Sequence, residues 1–142
     1  MQAKQKPYGG RDAEGRHALV VGAGPVGLRT AIETQLLGAK TVLVAKRNEF
    51  TRNNILKLWK FLLHDFKSLG VKKFVGKFCS GQINHIGIQK LQLFLAKVCM
   101  FLGVEIHSPA ALVDLVEPTA DKGWRAKFTP AGELTNSNKQ QQ

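Results

Sequence analysis

ALVVGAGPVGLR, residues 18–29, is the stretch on which the reading of this chain turns. A short apolar run, Leu19 to Val21, enters a turn in which Gly22, Gly24 and Gly27 stand at G-x-G-x-x-G spacing, and Pro25 and Leu28 open a helical pattern. A strand before such glycines and a helix after them is the context that a dinucleotide-binding turn requires. Gly22 allows the tight turn, Gly24 carries no Cβ to block a pyrophosphate, and Gly27 lets the helix lie close to the strand. The first N–H groups of the helix and the positive end of its dipole then face an anion. A glycine-rich turn with no ligand is the plain alternative, and the spacing alone does not separate FAD from NAD(P).

Working outward, residues 17–21 read as the first strand and 25–37 as a helix with Val26, Leu28, Ile32, Leu36 and Leu37 available to face a sheet, closed by Gly38. TVLVA, residues 41–45, is an apolar run of strand type, which completes a βαβ unit with a parallel pair. Residues 50–54 form a polar connector in which Asn53 or Asn54 is placed to cap a helix over 55–69, whose apolar positions repeat at 3.6 and which stops at Gly70. Trp59 falls on the apolar side of that predicted helix, which favours a core aromatic over a flavin-stacking one. Residues 71–84 read as a Lys- and Gly-containing loop, and residues 88–102 as a helix apolar on several faces. VEIH, residues 104–107, resembles a third parallel strand, and 112–116 with 124–129 an antiparallel pair around a turn holding Pro118, Asp121 and Gly123. The fold class is therefore α/β, a Rossmann-like parallel sheet plus a small antiparallel strand pair.

Composition sets the bounds. The chain has 142 residues, enough for about one modest domain. Lys and Arg outnumber Asp and Glu by 21 to 10, a formal charge of +11 that suits an acidic partner or merely a solvated face. Six lysines (67, 72, 73, 77, 90 and 97) fall between Phe66 and Gly103 with no carboxylate among them. Cys79 and Cys99 lack CxxC spacing and read as ordinary core or near-surface thiols of a reducing compartment, not as a disulfide or zinc framework. His64, His85 and His107 fall on different elements with no carboxylate at ligand spacing, so no metal is expected. The first sixteen residues lack an apolar core of signal type, and the apolar stretch 86–102 is broken by Lys90 and Lys97, so no membrane association is expected. Residues 134–142, LTNSNKQQQ, are polar and low in complexity.

With the elements in place, residues 18–127 resemble the MICAL flavin monooxygenases. The ordered stretches GAGPVGLRTAIETQLLGAK, KRNEFTRNNILKLW, LGVKKFVGKFCSGQINHI, LQLFLAKVCMFLGVEIH and GWRAKF carry the likeness. The resemblance implies an aromatic-hydroxylase fold in which NADPH reduces FAD, the reduced flavin activates oxygen, and methionine on F-actin is oxidised or hydrogen peroxide released. It implies a cytoplasmic, cytoskeleton-associated protein with no nucleic-acid partner. Residues 1–16, without periodicity and with Pro7, Gly9, Gly10 and Gly15, read as a flexible lead-in and the polar residues 131–142 as a disordered tail, between which the resemblance implies a partial FAD-binding domain (17–130).

Site residues follow one at a time from the resemblance. Gly22, Gly24, Val26 and Gly27 occupy the phosphate loop, with Val26 where the family usually has Cys. Ala45, Lys46 and Arg47 stand where the family has Glu-Lys-Arg at the end of the second strand, the acidic residue accepting from the adenosine ribose. Ala45 cannot accept, at a cost of roughly 1.5 to 3 kcal/mol of binding. Glu49, four residues on, is a poor substitute. Arg52, Asn53 and Asn54 match a connector that touches the cofactor, Arg47 flanks the adenine or a phosphate, and Leu112 falls near a backbone contact to the adenine; against these, Arg47 and Arg52 read plainly as surface arginines.

The family pattern continues past GWRAKF into a strand returning beside the first, a second flavin motif and a substrate sheet. The resemblance thus implies the cradle for the adenosine half of FAD, with the edge of the first strand open to pairing and little turnover by this chain alone. No catalytic residue is named. Two other readings stand beside it: a non-catalytic actin-binding or regulatory fragment, and an NAD(P)-binding module.

Overall fold

The computed structural model describes residues 13–71 and 85–130. The expectations for the rest of the lead-in, for the loop after Val71 with Lys72, Lys73, Lys77 and Cys79, and for the tail lie outside the described residues.

Strand β1 (His17–Val21), helix α1 (Pro25–Leu36) and strand β2 (Lys40–Val44) form the expected βαβ unit. β1 and β2 pair in parallel, Leu19 opposite Val42 and Val21 opposite Val44. α1 closes as its sequence indicates: Leu37 is the C-cap, and Gly38, at φ +98°, donates its N–H to Gln35 O at 3.0 Å.

β3 (Ile55–Lys57), α2 (Lys60–Ser68), β4 (His85–Gly87), α3 (Ile88–Phe101) and β5 (Glu105–His107) follow. β5 joins β2 in parallel, so the main sheet has the order β1-β2-β5. Among the described residues β1 therefore has a neighbour on one side only, and its Leu19 and Val21 are about half exposed. β6 (Ala110–Val116) and β7 (Arg125–Pro130) make the antiparallel pair, with a register shift between Leu112 and Asp114. β6 starts two residues earlier than predicted and β7 is shifted by one, because pairing reaches Ala110 opposite Pro130.

The predicted helix over 55–69 is corrected. Ile55, Leu56 and Lys57 pair antiparallel with Gly87, Ile86 and His85, and the helix begins at Lys60. Apolar residues at 3.6 spacing allowed a helix, but a partner strand distant in sequence captured the first turn and gave its backbone a ladder instead. Asn53 and Asn54 consequently cap nothing; the N-cap is Trp59, at φ −72° and ψ 151°. Trp59 is 68% exposed, so it is not the core aromatic its periodicity suggested. Phe66 and Leu69 do reach the core, and Gly70 (φ +98°) follows the helix end as expected.

The core lies between the sheet and the paired helices α1 and α3. Leu28, Ile32, Leu43, Leu95 and Cys99 are almost completely buried, and Cys99 Sγ lies 3.5 Å from Leu28 O. A fork of two hydrogen bonds from Arg29 on α1 to Asp65 on α2, 2.8 Å and 3.1 Å, ties α2 to this body, and Glu33 takes the same guanidinium from within α1. Burial disfavours the Arg29 charge, but the bonds to Asp65 and Glu33 outweigh it and hold the group above its ordinary value. Outside this layer Leu93, Met100 and Phe101 of α3 are exposed, in keeping with a helix apolar on several faces. Among the described residues no helix is long and apolar enough to cross a membrane.

Candidate functional site

The glycine turn is built as its spacing requires. Gly22 sits at φ +109°, where side chains other than glycine are strained, and its N–H donates to Val44 O at 2.7 Å, which extends the β1–β2 pair into the turn. Gly24 is the N-cap of α1 at φ −73°, ψ 170°; a Cβ there would meet nothing within 4 Å, so the space beside it is open. Gly27 is the opposite case, since a Cβ would lie 2.0 Å from Gly22 O. One glycine borders open space, and the other lets the helix close onto the turn. The first bond of α1 runs from Leu28 N–H to Gly24 O at 2.9 Å, which leaves the preceding N–H groups of Val26 and Gly27 without a partner inside the helix. Its first turn holds no acidic side chain to occupy them.

This helix end opens on a cavity of about 240 Å³ whose lining includes Gly24, Ala45, Lys46, Arg47, Arg52 and Gln92. That volume is below the roughly 300–1,000 Å³ of closed small-molecule pockets and has room for one end of a dinucleotide only. Three cations and one carboxylate, Glu49, line it, and all four side chains are exposed. None of the three cations is in an ion pair with another described residue. At the end of β2 the backbone is fully engaged: Ala45 N–H donates to His107 O at 2.9 Å, and Ala45 O accepts from Ala110 N–H at 2.8 Å. Ala45 is buried, so what it presents to the cavity is a methyl group.

Gln92 is the wall residue that the sequence reading did not single out. It lies on α3 at 8% exposure; its Nε2 donates to Ala23 O at 2.9 Å and steadies the glycine turn, while its Oε1 is buried with no hydrogen-bond partner among the described residues. An orphaned buried acceptor costs about 1–3 kcal/mol unless a donor reaches it, and a ligand hydroxyl in this cavity is such a donor. The signal was present, because Ile88, Gln92, Leu95 and Cys99 form one helical stripe in which a single amide interrupts apolar residues.

Of the predicted residues, the structure gathers Gly24, Ala45, Lys46, Arg47 and Arg52 around one cavity. Gly22 and Gly27 shape the turn without lining it. Val26 is exposed on the first turn of α1 and faces a separate apolar cleft with Leu56, Trp59 and Leu62. Asn53 lines a neighbouring cavity of about 370 Å³ with Arg52 and Lys90, and Asn54 serves through its carbonyl, which accepts Ile88 N–H at 2.8 Å. Leu112 pairs with Phe128 on the β6–β7 hairpin and is not among the residues lining the cavity.

The donor set fits a diphosphate: a helix start with no acidic side chain in its first turn and three cations border the same cavity. At the end of β2 itself Ala45 offers a ribose hydroxyl no side-chain acceptor, and its N–H and carbonyl are each already in a hydrogen bond; the side-chain acceptors on the cavity wall include Gln92 Oε1 and Glu49.

No protein-family model matches the sequence. Among curated proteins, the [F-actin]-monooxygenase Mical of Drosophila melanogaster is 54% identical over 132 residues, covering 92% of this chain. Human [F-actin]-monooxygenase MICAL2 is 53% identical over 126 residues, and zebrafish (Danio rerio) [F-actin]-monooxygenase mical1 is 54% identical over 121 residues, each covering 85% of this chain. The chain spans only 3%, 6% and 10% of the length of those three relatives. Solved structures share the fold at low identity. THI4 of Thermovibrio ammonificans superposes at TM-score 0.65 with 14% identity, over 96% of this chain and 54% of its own. CabE, an aromatic hydroxylase from angucycline biosynthesis, superposes at 0.58 with 19% identity, over 80% of this chain and 29% of its own.

Proposed function

The chain belongs to the MICAL family over the segment it shares with those relatives, and from that premise we propose that it forms the part of a flavoprotein monooxygenase that holds the adenosine diphosphate end of the cofactor. One observation carries the reading: the glycine turn opens the start of α1 onto a cavity lined by Lys46, Arg47 and Arg52. The N–H groups of the first turn bind the pyrophosphate, the open space beside Gly24 admits it, and Arg52 balances its charge. Gln92 holds the turn through Ala23 and offers Oε1 to a ligand hydroxyl. FAD, when bound, supplies the redox chemistry that activates oxygen.

NADPH as reductant and methionine of F-actin as substrate are part of the same proposal for the longer protein. In support, one relative, zebrafish mical3a, is named a protein-methionine sulfoxide oxidase and is 50% identical over 135 residues. Oxidation turns an apolar thioether into a polar sulfoxide, a change able to loosen a packed filament contact. On this reading the protein works in the cytoplasm at the actin cytoskeleton.

The test is a calorimetric titration of ADP and FAD against the wild-type chain and Gly24→Val. Valine puts a side chain into the open space beside the turn, so binding is lost while the fold remains. Equal affinity in the two proteins would remove the phosphate from this site.

A further inference from the structure

We infer that this site, which has a methyl group where a flavin-type pocket has its ribose-hydroxyl acceptor and has cations beside it, selects adenosine nucleotides that carry a 2′-phosphate over those with a free 2′-hydroxyl. The inference rests on the phosphate-site reading above and names the ligand class of that same site.

The argument begins at the end of β2. In dinucleotide-binding sheets a carboxylate at this place accepts from the 2′-hydroxyl, whereas an arginine nearby accommodates a 2′-phosphate. Here the position is Ala45, buried and presenting a methyl group, with its N–H given to His107 and its carbonyl to Ala110. A free 2′-hydroxyl therefore finds no side-chain acceptor on the residue that ends β2. The next two residues are Lys46 and Arg47, and both line the same cavity. They are exposed, and no ion pair with another described residue competes for them.

A 2′-phosphate adds nearly two negative charges and three acceptor oxygens to the ribose. A planar guanidinium takes two of those oxygens at once, and an ammonium beside it adds a point charge. Glu49 on the same cavity opposes the added charge, but three cations line the site against this one carboxylate. Exposure moderates the gain through solvent and salt screening, so the preference is expected to shrink as ionic strength rises.

The experiment compares ADP with 2′-phospho-ADP on the full chain by calorimetry, at low and high salt. Wild type is expected to bind 2′-phospho-ADP about 10- to 100-fold more tightly, the scale of one or two charge-assisted hydrogen bonds. Arg47→Ala and Lys46→Ala alter exposed side chains and leave the core untouched, and each brings the two affinities together. Ala45→Glu restores an acceptor and introduces repulsion, which reverses the preference and strengthens ADP and FAD. Circular dichroism confirms that each variant is folded, and the two alanine variants test the inference even if glutamate at the buried position disrupts the strand. Equal affinity of wild type for the two ligands, or a preference that neither alanine variant changes, overturns this inference and leaves the phosphate site standing. Failure of both ligands to bind wild type overturns the two readings together.

Discussion

The α1–α3 layer and the β6–β7 hairpin are both made from apolar residues, and they meet opposite fates. Leu28, Ile32, Leu95 and Cys99 vanish from solvent between two helices and a sheet. In the hairpin Ala111 is buried, but Val113, Leu115 and Trp124 are 56%, 58% and 69% exposed. The helices have partners on the sheet and on each other. The hairpin is joined to the main sheet at its root, through Ala110 N–H to Ala45 O. Hydrophobicity sets how much a residue gains by burial, but only a second layer delivers that gain, and a two-stranded ribbon has none of its own.

The largest effect should separate these regions directly. Leu95→Ala is expected to cost about 2–5 kcal/mol of stability, because it leaves a cavity among residues that cannot collapse around it. Leu115→Ala, in the hairpin, should stay within about 0.5 kcal/mol. Urea denaturation of both variants is the measurement. A comparable loss at Leu115 would break the comparison, since it would mean that the hairpin is covered in solution.

A middle-sized effect tests the same contrast inside the glycine turn. Gly27→Ala drives a Cβ to 2.0 Å from a backbone oxygen and should cost about 1–3 kcal/mol, because α1 must move off the turn. Gly24→Val enters open space and should cost under about 1 kcal/mol while abolishing nucleotide binding. Thermal melts set beside ligand titrations distinguish the two. If both variants lose stability equally, the space beside Gly24 is filled by protein and not reserved for a ligand.

The smallest effect concerns pH. Burial pushes the Cys99 thiol from 9.0 up to about 11. As pH rises through 9 the unfolded chain releases this proton before the folded one does, so the native state holds more protons across the window from about 9 to 11. Stability from this group is therefore complete below pH 9 and lost as pH climbs through that window. Cys99→Ala should flatten this part of the stability profile. An unchanged slope would place the alkaline loss elsewhere in the molecule.

Much of this fold could be read in advance where one signal had one meaning. The glycine spacing, the C-terminal glycines Gly38, Gly70 and Gly103, and the apolar run of β2 each allowed one local structure, and each formed it. The stretch around residues 55–59 was different. Ile55, Leu56 and Leu58 satisfy either period, and the choice was made by Ile86, thirty residues away from Leu56, which supplied a strand to pair with. Trp59 then turned outward because its place was the start of a helix instead of its interior. At the site, Gly24, Ala45, Lys46, Arg47 and Arg52 were legible because they lie on or just after the βαβ unit. Gln92 was not, because a lone amide on an apolar helix has meaning only once the neighbouring turn is in place.

By itself the sequence determined the βαβ unit, the glycine turn between β1 and α1, and an alanine with cations after it at the end of β2, since these depend on backbone freedom and on residue chemistry over short spans. The tertiary structure alone decided that β3 is a strand, that Gln92 carries an oxygen at the cavity wall with no partner among the described residues, and that the N–H and carbonyl of Ala45 are each already hydrogen-bonded. Each of these needs two segments brought together across long separations, and no local preference carries information about which partner will arrive.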